Sequence, residues 1–246
     1  MRDVFVRTDN VMRGWTTLED LWGNKAASEA NLCLVDGRTG TGKSMFLTHY
    51  VTQHPGRAKY LRCLDAWSVP WMLRALSGVL GLPPRHTTEV NFEQIKKELI
   101  ERPRMIILDD AQDRLIKRSH RLNTIRDLHD LTKNPFVLVG EGKALDLVYR
   151  ESPATWRRCG QVVKFEALST ADIQVMAREL CDPGLEINTV LAERILEETN
   201  KNPLLAGCFG EVVVNLAKIE KATKANQGQL SGKVLDMALK ARRGSK

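Results

Sequence analysis

The run Gly37-Arg38-Thr39-Gly40-Thr41-Gly42-Lys43-Ser44 sets three glycines, a lysine and a hydroxyl side by side. Glycine reaches backbone conformations closed to other residues, so successive N–H groups can curl around an anion. A helix beginning near Ser44 adds its positive end to the same anion. In the spacing GxxxxGK[ST] the lysine reaches the β- and γ-phosphates of a nucleotide, and the hydroxyl ligates Mg²⁺. The bare pattern arises by chance in about one chain per hundred of this length. Context decides here, because the run follows a short apolar stretch and precedes a helical one. Residues Gly37 to Ser44, with Met45, are therefore the expected ATP cradle.

A second element completes that chemistry. Met105-Ile106-Ile107-Leu108 is followed by Asp109-Asp110-Ala111-Gln112. Four apolar residues ending in a carboxylate form a buried strand that holds Asp109 near the Mg²⁺ and its water shell. Ser44 and Asp109 are the expected metal-side residues. An ordinary strand-end turn is the alternative reading of Asp109-Asp110.

Five short apolar runs read as buried strands: Asn31–Val35, Ala58–Leu61, Met105–Leu108, Phe136–Val139 and Gln161–Phe165. Continuous runs rich in Val, Ile and Leu suit a parallel sheet covered on both faces. Helical patterns separate them, near Ser44–Gln53, Ser68–Leu80, Asn91–Glu101, Asn123–Thr132 and Lys143–Tyr149. Strand alternating with helix predicts an α/β layer. After Phe165 the pattern is helical only, near Thr170–Leu180, Asn188–Thr199, Pro203–Leu216 and Leu230–Ala241, with Ser169 as a cap for the first. The expected division is an α/β domain over 1–166, a helical lid over 167–220 and a basic helix and tail over 221–246.

The 246 residues can bury a full core, and 43% hydrophobic with 27% charged residues is ordinary for a globular protein. No apolar run approaches the roughly 18 residues of a membrane span, and the start lacks the pattern of a secretory signal. Five scattered cysteines without a CxxC pair, and five histidines, show no metal-ligand spacing. A reduced, cytoplasmic protein is expected. Of the net charge of +7, eight Lys/Arg against Glu220 and Asp236 place +6 between Lys218 and Lys246. Such a tail suits either a polyanion partner or a solvated terminus.

With both motifs in place the chain resembles AAA+ ATPases, which implies a five-stranded parallel core and a helical lid. The resemblance puts Asp110 where such proteins usually carry a glutamate that polarises the attacking water. Aspartate is one methylene shorter, so its carboxylate is expected about 1.5 Å further from that water and hydrolysis slow. Glu141, after the strand Phe136–Val139, occupies the place of a polar sensor. Arg157 and Arg158 precede the fifth strand, where a neighbouring subunit commonly receives an arginine finger; a surface arginine pair is the alternative. In Asn202-Pro203-Leu204 a leucine stands where many lids carry a sensor arginine, so none is expected.

The opening Val4–Arg13, a helix around Thr17–Trp22, the phrase Val139-Gly-Glu-Gly-Lys-Ala-Leu145 and Trp156-Arg-Arg158 extend the likeness. Over roughly residues 3–220 the chain looks like the transposition protein B of Mu-like phages and the TnsC-type transposon regulators. That resemblance implies Thr8, Asn10 and Arg13 beside the adenine. It also implies ATP-dependent homo-oligomeric filaments on double-stranded DNA, with little sequence preference, which recruit and stimulate a transposase. With the core beginning almost at residue 1, appended DNA-binding domains are expected to be absent. The basic surface is then expected in one of two regions. Arg114, Lys117, Arg118, His120 and Arg121 follow the second motif; Lys233, Lys240, Arg242 and Arg243 lie in the tail. Lysine and arginine bind phosphates without reading bases. A solvated loop, and contact between tail and transposase, stand as alternatives. For the whole chain the alternatives are a signalling or secretion-type ATPase that assembles without DNA, and a helicase loader.

Overall fold

In a computed structural model, residues 1–23, 31–182, 185–202, 206–226 and 229–240 are described. The chain forms two compact units, Arg13–Gly37 with Lys43–Phe165, and Met1–Met12 with Arg38–Gly42 and Glu166–Lys246.

The first unit is an α/β layer. Its strands are β1 (Leu32–Gly37), β2 (Ala58–Arg62), β3 (Met105–Asp109), β4 (Phe136–Val139) and β5 (Cys159–Phe165). They form one parallel sheet in the order β2-β3-β4-β1-β5. Every residue of β3 and β4 is buried, as is β1 up to Asp36, which is why these runs are continuously apolar rather than alternating. The helices are α1 (Asp9–Gly23, whose first residues belong to the second unit), α2 (Lys43–Gln53), α3 (Val69–Val79), α4 (Thr88–Glu101), α5 (Ser119–Thr132), α6 (Ala144–Glu151) and α7 (Pro153–Trp156). Leu34, Leu108 and Leu138 of the sheet, Leu76 of α3, Ile95 of α4 and Ile125 of α5 share one core.

The second unit is helical: α8 (Thr170–Leu180), α9 (Thr189–Asn200), α10 (Phe209–Ala225) and α11 (Gly232–Lys240). Val6, Ile173, Ile195, Leu216 and Leu235 meet in its core. Ser169 caps α8 in a reciprocal arrangement with Asp172, satisfying donors at the helix start.

Several boundaries differ from the sequence reading, each for a local reason. The helix expected from Asn91 starts at Thr88, because the Thr87 hydroxyl accepts the Val90 N–H at 3.2 Å. The helix expected from Asn123 starts at Ser119. A π-helical turn, Gln112–Ile116, fills the preceding stretch, which had no periodicity to announce it. The helix expected around Thr17–Trp22 begins at Asp9, whose N–H is accepted by Asp172 at 2.8 Å, a partner invisible in local sequence. Ser152 and Pro153 start the unexpected short α7. β5 begins two residues earlier than expected, with a register shift between Leu32 and Cys33 of its neighbour. The helix expected over Pro203–Leu216 is described from Phe209 and runs on to Ala225.

Candidate functional site

The parallel sheet delivers the carboxyl ends of β1, β3 and β4 side by side, where open α/β sheets bind ligands. β1 ends in Asp36-Gly37 and α2 begins at Lys43. The Lys43 ammonium turns back to donate to the Gly37 carbonyl at 2.5 Å. Burial pushes the Lys43 pKa below its ordinary value, and the charges of Asp109, Glu141, Asp36 and Asp110 pull it back up. One lysine thus stands among four carboxylates drawn from three adjacent strand ends. Gly37 admits no side chain: a Cβ there would lie 2.3 Å from the Phe165 carbonyl oxygen of β5. Gly42 has φ +93, a left-handed conformation that suits glycine. In the helical unit, the Phe209 N–H at the start of α10 donates to the Gly40 carbonyl at 2.8 Å. Thr41 donates its hydroxyl to the Arg38 carbonyl at 2.8 Å, while Arg38 and Thr39 are exposed. Ser44 and Met45 are exposed on the first turn of α2.

Asp109 is only 3% exposed at the end of β3. Its Oδ1 accepts the Asp110 N–H at 2.8 Å, and its Oδ2 accepts the Tyr60 hydroxyl at 2.5 Å. A carboxylate has about four acceptor positions, so two such bonds leave room for further donors or a metal-bound water. A carboxylate and a serine hydroxyl are hard oxygen donors of the kind Mg²⁺ takes, so the residues fit that ion.

Asp110 has φ +56, an uncommon conformation for a residue with a side chain. Its Oδ2 accepts from Arg62 Nε and from Arg114 Nη1, both at 2.7 Å. Burial alone would push the Asp110 carboxyl up, but the hydrogen bond from Arg62 and the charge of Arg114 hold it below the ordinary carboxylate range. The carboxylate expected to polarise water is therefore engaged by two guanidinium groups. Gln112, on the π-helical turn, accepts the Glu141 N–H at 2.8 Å and ties the end of β3 to the end of β4. Glu141 is itself exposed.

The residues expected at the periphery are placed as follows. Thr8 and Asn10 are both 3% exposed in the helical unit. Asn10 exchanges a pair of hydrogen bonds with the Glu166 backbone, at 2.9 and 3.0 Å, as a neighbouring strand would. Arg13 is exposed on α1. Arg157 is exposed, whereas Arg158 makes a two-point pair with Asp130, Nε to Oδ1 at 2.5 Å and Nη2 to Oδ2 at 2.7 Å. Its remaining nitrogen donates to the Ala154 carbonyl at 2.6 Å. Among the basic residues after β3, Arg114 also donates to the Cys63 carbonyl at 3.0 Å, and Arg121 donates to the Arg114 carbonyl at 2.6 Å. Lys117 and Arg118 project outward, 51% and 58% exposed, beside Asp113 and Asp65; His120 is exposed as well. Lys233 is exposed on α11, which Lys240 closes. Arg242, Arg243 and Leu204 lie outside the described residues.

Sequence reasoning did not single out Asp36, Tyr60, Arg62, Gln112 or Asp130. Gln112 stood within the Asp109 motif without a role. Tyr60 and Arg62 become neighbours of that motif only through the pairing of β2 with β3.

No helix among the described residues is long and apolar enough to cross a membrane. A family model described as an AAA domain matches residues 26–148. No curated protein matches the chain in sequence. The fold is similar to the ORC2 protein of Aeropyrum pernix, in a structure of its ADPNP–ADP complexes. The TM-score is 0.69 at 16% identity, covering 97% of this chain and 69% of that one. It is also similar to the RuvB Holliday junction branch migration motor of Thermotoga maritima, with TM-score 0.58 at 15% identity over 96% of this chain and 69% of that one. The ORC1 protein of Aeropyrum pernix in complex with DNA gives TM-score 0.57 at 15% identity over 96% of this chain and 65% of that one.

Proposed function

The chain belongs to the AAA domain family, and from that premise we propose an Mg²⁺-dependent ATPase that assembles on double-stranded DNA in its ATP-bound state and activates a transposase. The observation that carries the nucleotide half is geometric: the Lys43 ammonium folds back on the Gly37 carbonyl at 2.5 Å, at the edge where adjacent strands β3, β4 and β1 end in or just before Asp36, Asp109, Asp110 and Glu141. A half-buried cation facing carboxylates from three strand ends, at the end of a glycine loop and the start of a helix, is arranged to receive phosphates together with a divalent ion. In this reading Ser44 and Asp109 would hold the ion, which would supply a positive charge for phosphoryl transfer. Lys43 grips the β- and γ-phosphates. Asp110 orients the attacking water once released from Arg62 and Arg114, and Glu141 contacts the γ-phosphate side. Thr8, Asn10 and Arg13 are assigned to the adenine.

The DNA half rests on three supports. The net charge is +7 and concentrates toward the C-terminus. Lys117 and Arg118 face outward on the segment that follows Arg114, itself paired with Asp110. A structurally similar protein has been solved with DNA bound. Lys117 and Arg118 bind phosphates directly, while Arg114 and Arg121 brace the turn that carries them. Arg157, exposed before β5, serves the site of the next copy of this chain. The residues 167–220 act as the lid, and 221–246 add a basic surface for DNA or transposase. The filament and the transposase partner follow from the resemblance to the Mu-like and TnsC-type regulators, and a cytoplasmic setting from the scattered, unpaired cysteines.

The test is equilibrium binding to a fluorescent duplex of unrelated sequences, with an ATP analogue, ADP or no nucleotide, over a salt series. The reading predicts analogue-dependent binding that weakens as salt rises. Removing both Lys117 and Arg118 flattens the log–log slope by about two, close to 0.9 per phosphate contact. Binding that ignores the nucleotide, or no binding to duplex DNA, would refute the DNA half while leaving the nucleotide site in place.

A further inference from the structure

We infer that Tyr60, on β2, is a positioning residue for the Mg²⁺-side carboxylate Asp109, and so sets how strongly the cation tightens nucleotide binding. The inference rests on the reading of Asp109 as the carboxylate beside the ion. It uses a residue from a strand outside both sequence motifs.

Asp109 is nearly completely buried, so its two oxygens need partners that hold them. Oδ1 is fixed by the adjoining Asp110 N–H at 2.8 Å, a local contact that moves with the Asp110 backbone. Oδ2 is fixed from the neighbouring strand by the Tyr60 hydroxyl at 2.5 Å, and a hydroxyl–carboxylate bond this short is of the stronger, charge-assisted kind. β2 pairs with β3 in unbroken register from Ala58–Met105 to Arg62–Asp109, which anchors the tyrosine's backbone against the strand it serves. Together the two donors define the plane of the carboxylate and leave its other acceptor positions to point elsewhere. Such outer partners orient metal-side ligands, and their removal typically lowers metal affinity about 10–100-fold.

A purely structural hydroxyl would satisfy Asp109 without influencing the cation, so the experiment must read the cation's contribution and not activity. Binding of a fluorescent ADP analogue is measured with saturating Mg²⁺ and again with EDTA, and the ratio of the two affinities is the readout. A general loss of folding lowers both affinities and leaves the ratio, so Tyr60→Phe is judged on the ratio alone. The inference predicts a ratio about tenfold smaller in Tyr60→Phe than in the parent chain. An unchanged ratio in Tyr60→Phe, alongside a collapsed ratio in Asp109→Asn, overturns the role of Tyr60 and keeps that of Asp109. An unchanged ratio in Asp109→Asn overturns the assignment of Asp109 itself, and with it the inference.

Discussion

Replacing Arg158 by alanine tests a structural role for this arginine against the finger role proposed for its neighbour Arg157. Its guanidinium meets Asp130 of α5 through two parallel hydrogen bonds, at 2.5 and 2.7 Å, and donates a third to the Ala154 carbonyl at 2.6 Å. The pair is partly buried, with the two side chains 30% and 31% exposed. An exposed pair contributes about 0.2–1 kcal/mol; two-point geometry and partial burial put the coupling here near the top of that range, about 1 kcal/mol. Removing Arg158 alone also strands Asp130 and the Ala154 carbonyl, so the single variant should lose about 2 kcal/mol. For a chain of this size that is a fall in Tm of about 4–8 °C.

A double-mutant cycle of Arg158→Ala with Asp130→Ala, followed by urea denaturation, should return the coupling of about 1 kcal/mol. The pair also predicts a pH signature. Burial alone would push the Asp130 carboxyl up, but Arg158 holds it below its ordinary value. A depressed carboxyl stabilises the folded state fully above its unfolded pKa, and the contribution disappears as pH falls through the lower folded value. The stability gap between parent and Arg158→Ala should thus be constant above about pH 5 and close below about pH 4. Arg157→Ala, by contrast, should leave Tm in place and slow hydrolysis on the order of 10³-fold, the worth of an arginine supplied to a neighbour's site. The reasoning is refuted by Arg158→Ala that melts like the parent, with no coupling to Asp130, yet loses hydrolysis.

The remaining predictions address the nucleotide site and three shielded thiols. Arg62→Ala removes one of the two guanidinium contacts to Asp110 and should raise the single-turnover hydrolysis rate; an unchanged or lower rate would mean the contact does not restrain that carboxylate. Asp110→Glu restores the missing methylene and should likewise accelerate single-turnover hydrolysis, and no acceleration would count against Asp110 as the group that polarises water. Gly37→Ala forces a Cβ to within 2.3 Å of a backbone oxygen that cannot swing away. It should cost about 1–3 kcal/mol in denaturation and weaken nucleotide binding, and a variant as stable as the parent would show that the loop can shift at no cost. Burial raises the thiols of Cys63 and Cys159 to about 12 and of Cys181 to about 11. At pH 8 these three should resist a thiol reagent until urea unfolds the protein, and mass spectrometry after brief labelling checks it.

The sheet was legible because each strand is short, apolar and followed by a helical period. Lys43 and Asp109 stood out because their motifs state a chemistry in consecutive residues, and the structure sets them at the start of α2 and the end of β3. What escaped the sequence depends on neighbours far along the chain. Tyr60 and Arg62 read as the polar edges of an ordinary strand until β2 is laid against β3. Arg114 and Arg121 read as a basic loop, yet Asp110 and backbone carbonyls draw both inward, leaving Lys117 and Arg118 to face outward. Arg157 and Arg158 are indistinguishable in sequence; the helical turn Pro153–Trp156 before them points one toward Asp130 and the other to solvent. The π-helical turn carries no periodicity of its own, so Gln112 could not be placed from spacing.

Imaging the purified chain by negative-stain electron microscopy tests the central claim most directly, with duplex DNA and an ATP analogue, ADP or no nucleotide, beside Lys43→Ala. Continuous filaments should appear only with DNA and the analogue, and should vanish in Lys43→Ala. Rings or monomers indifferent to DNA, or normal filaments in Lys43→Ala, would contradict an assembly switched by nucleotide at this site.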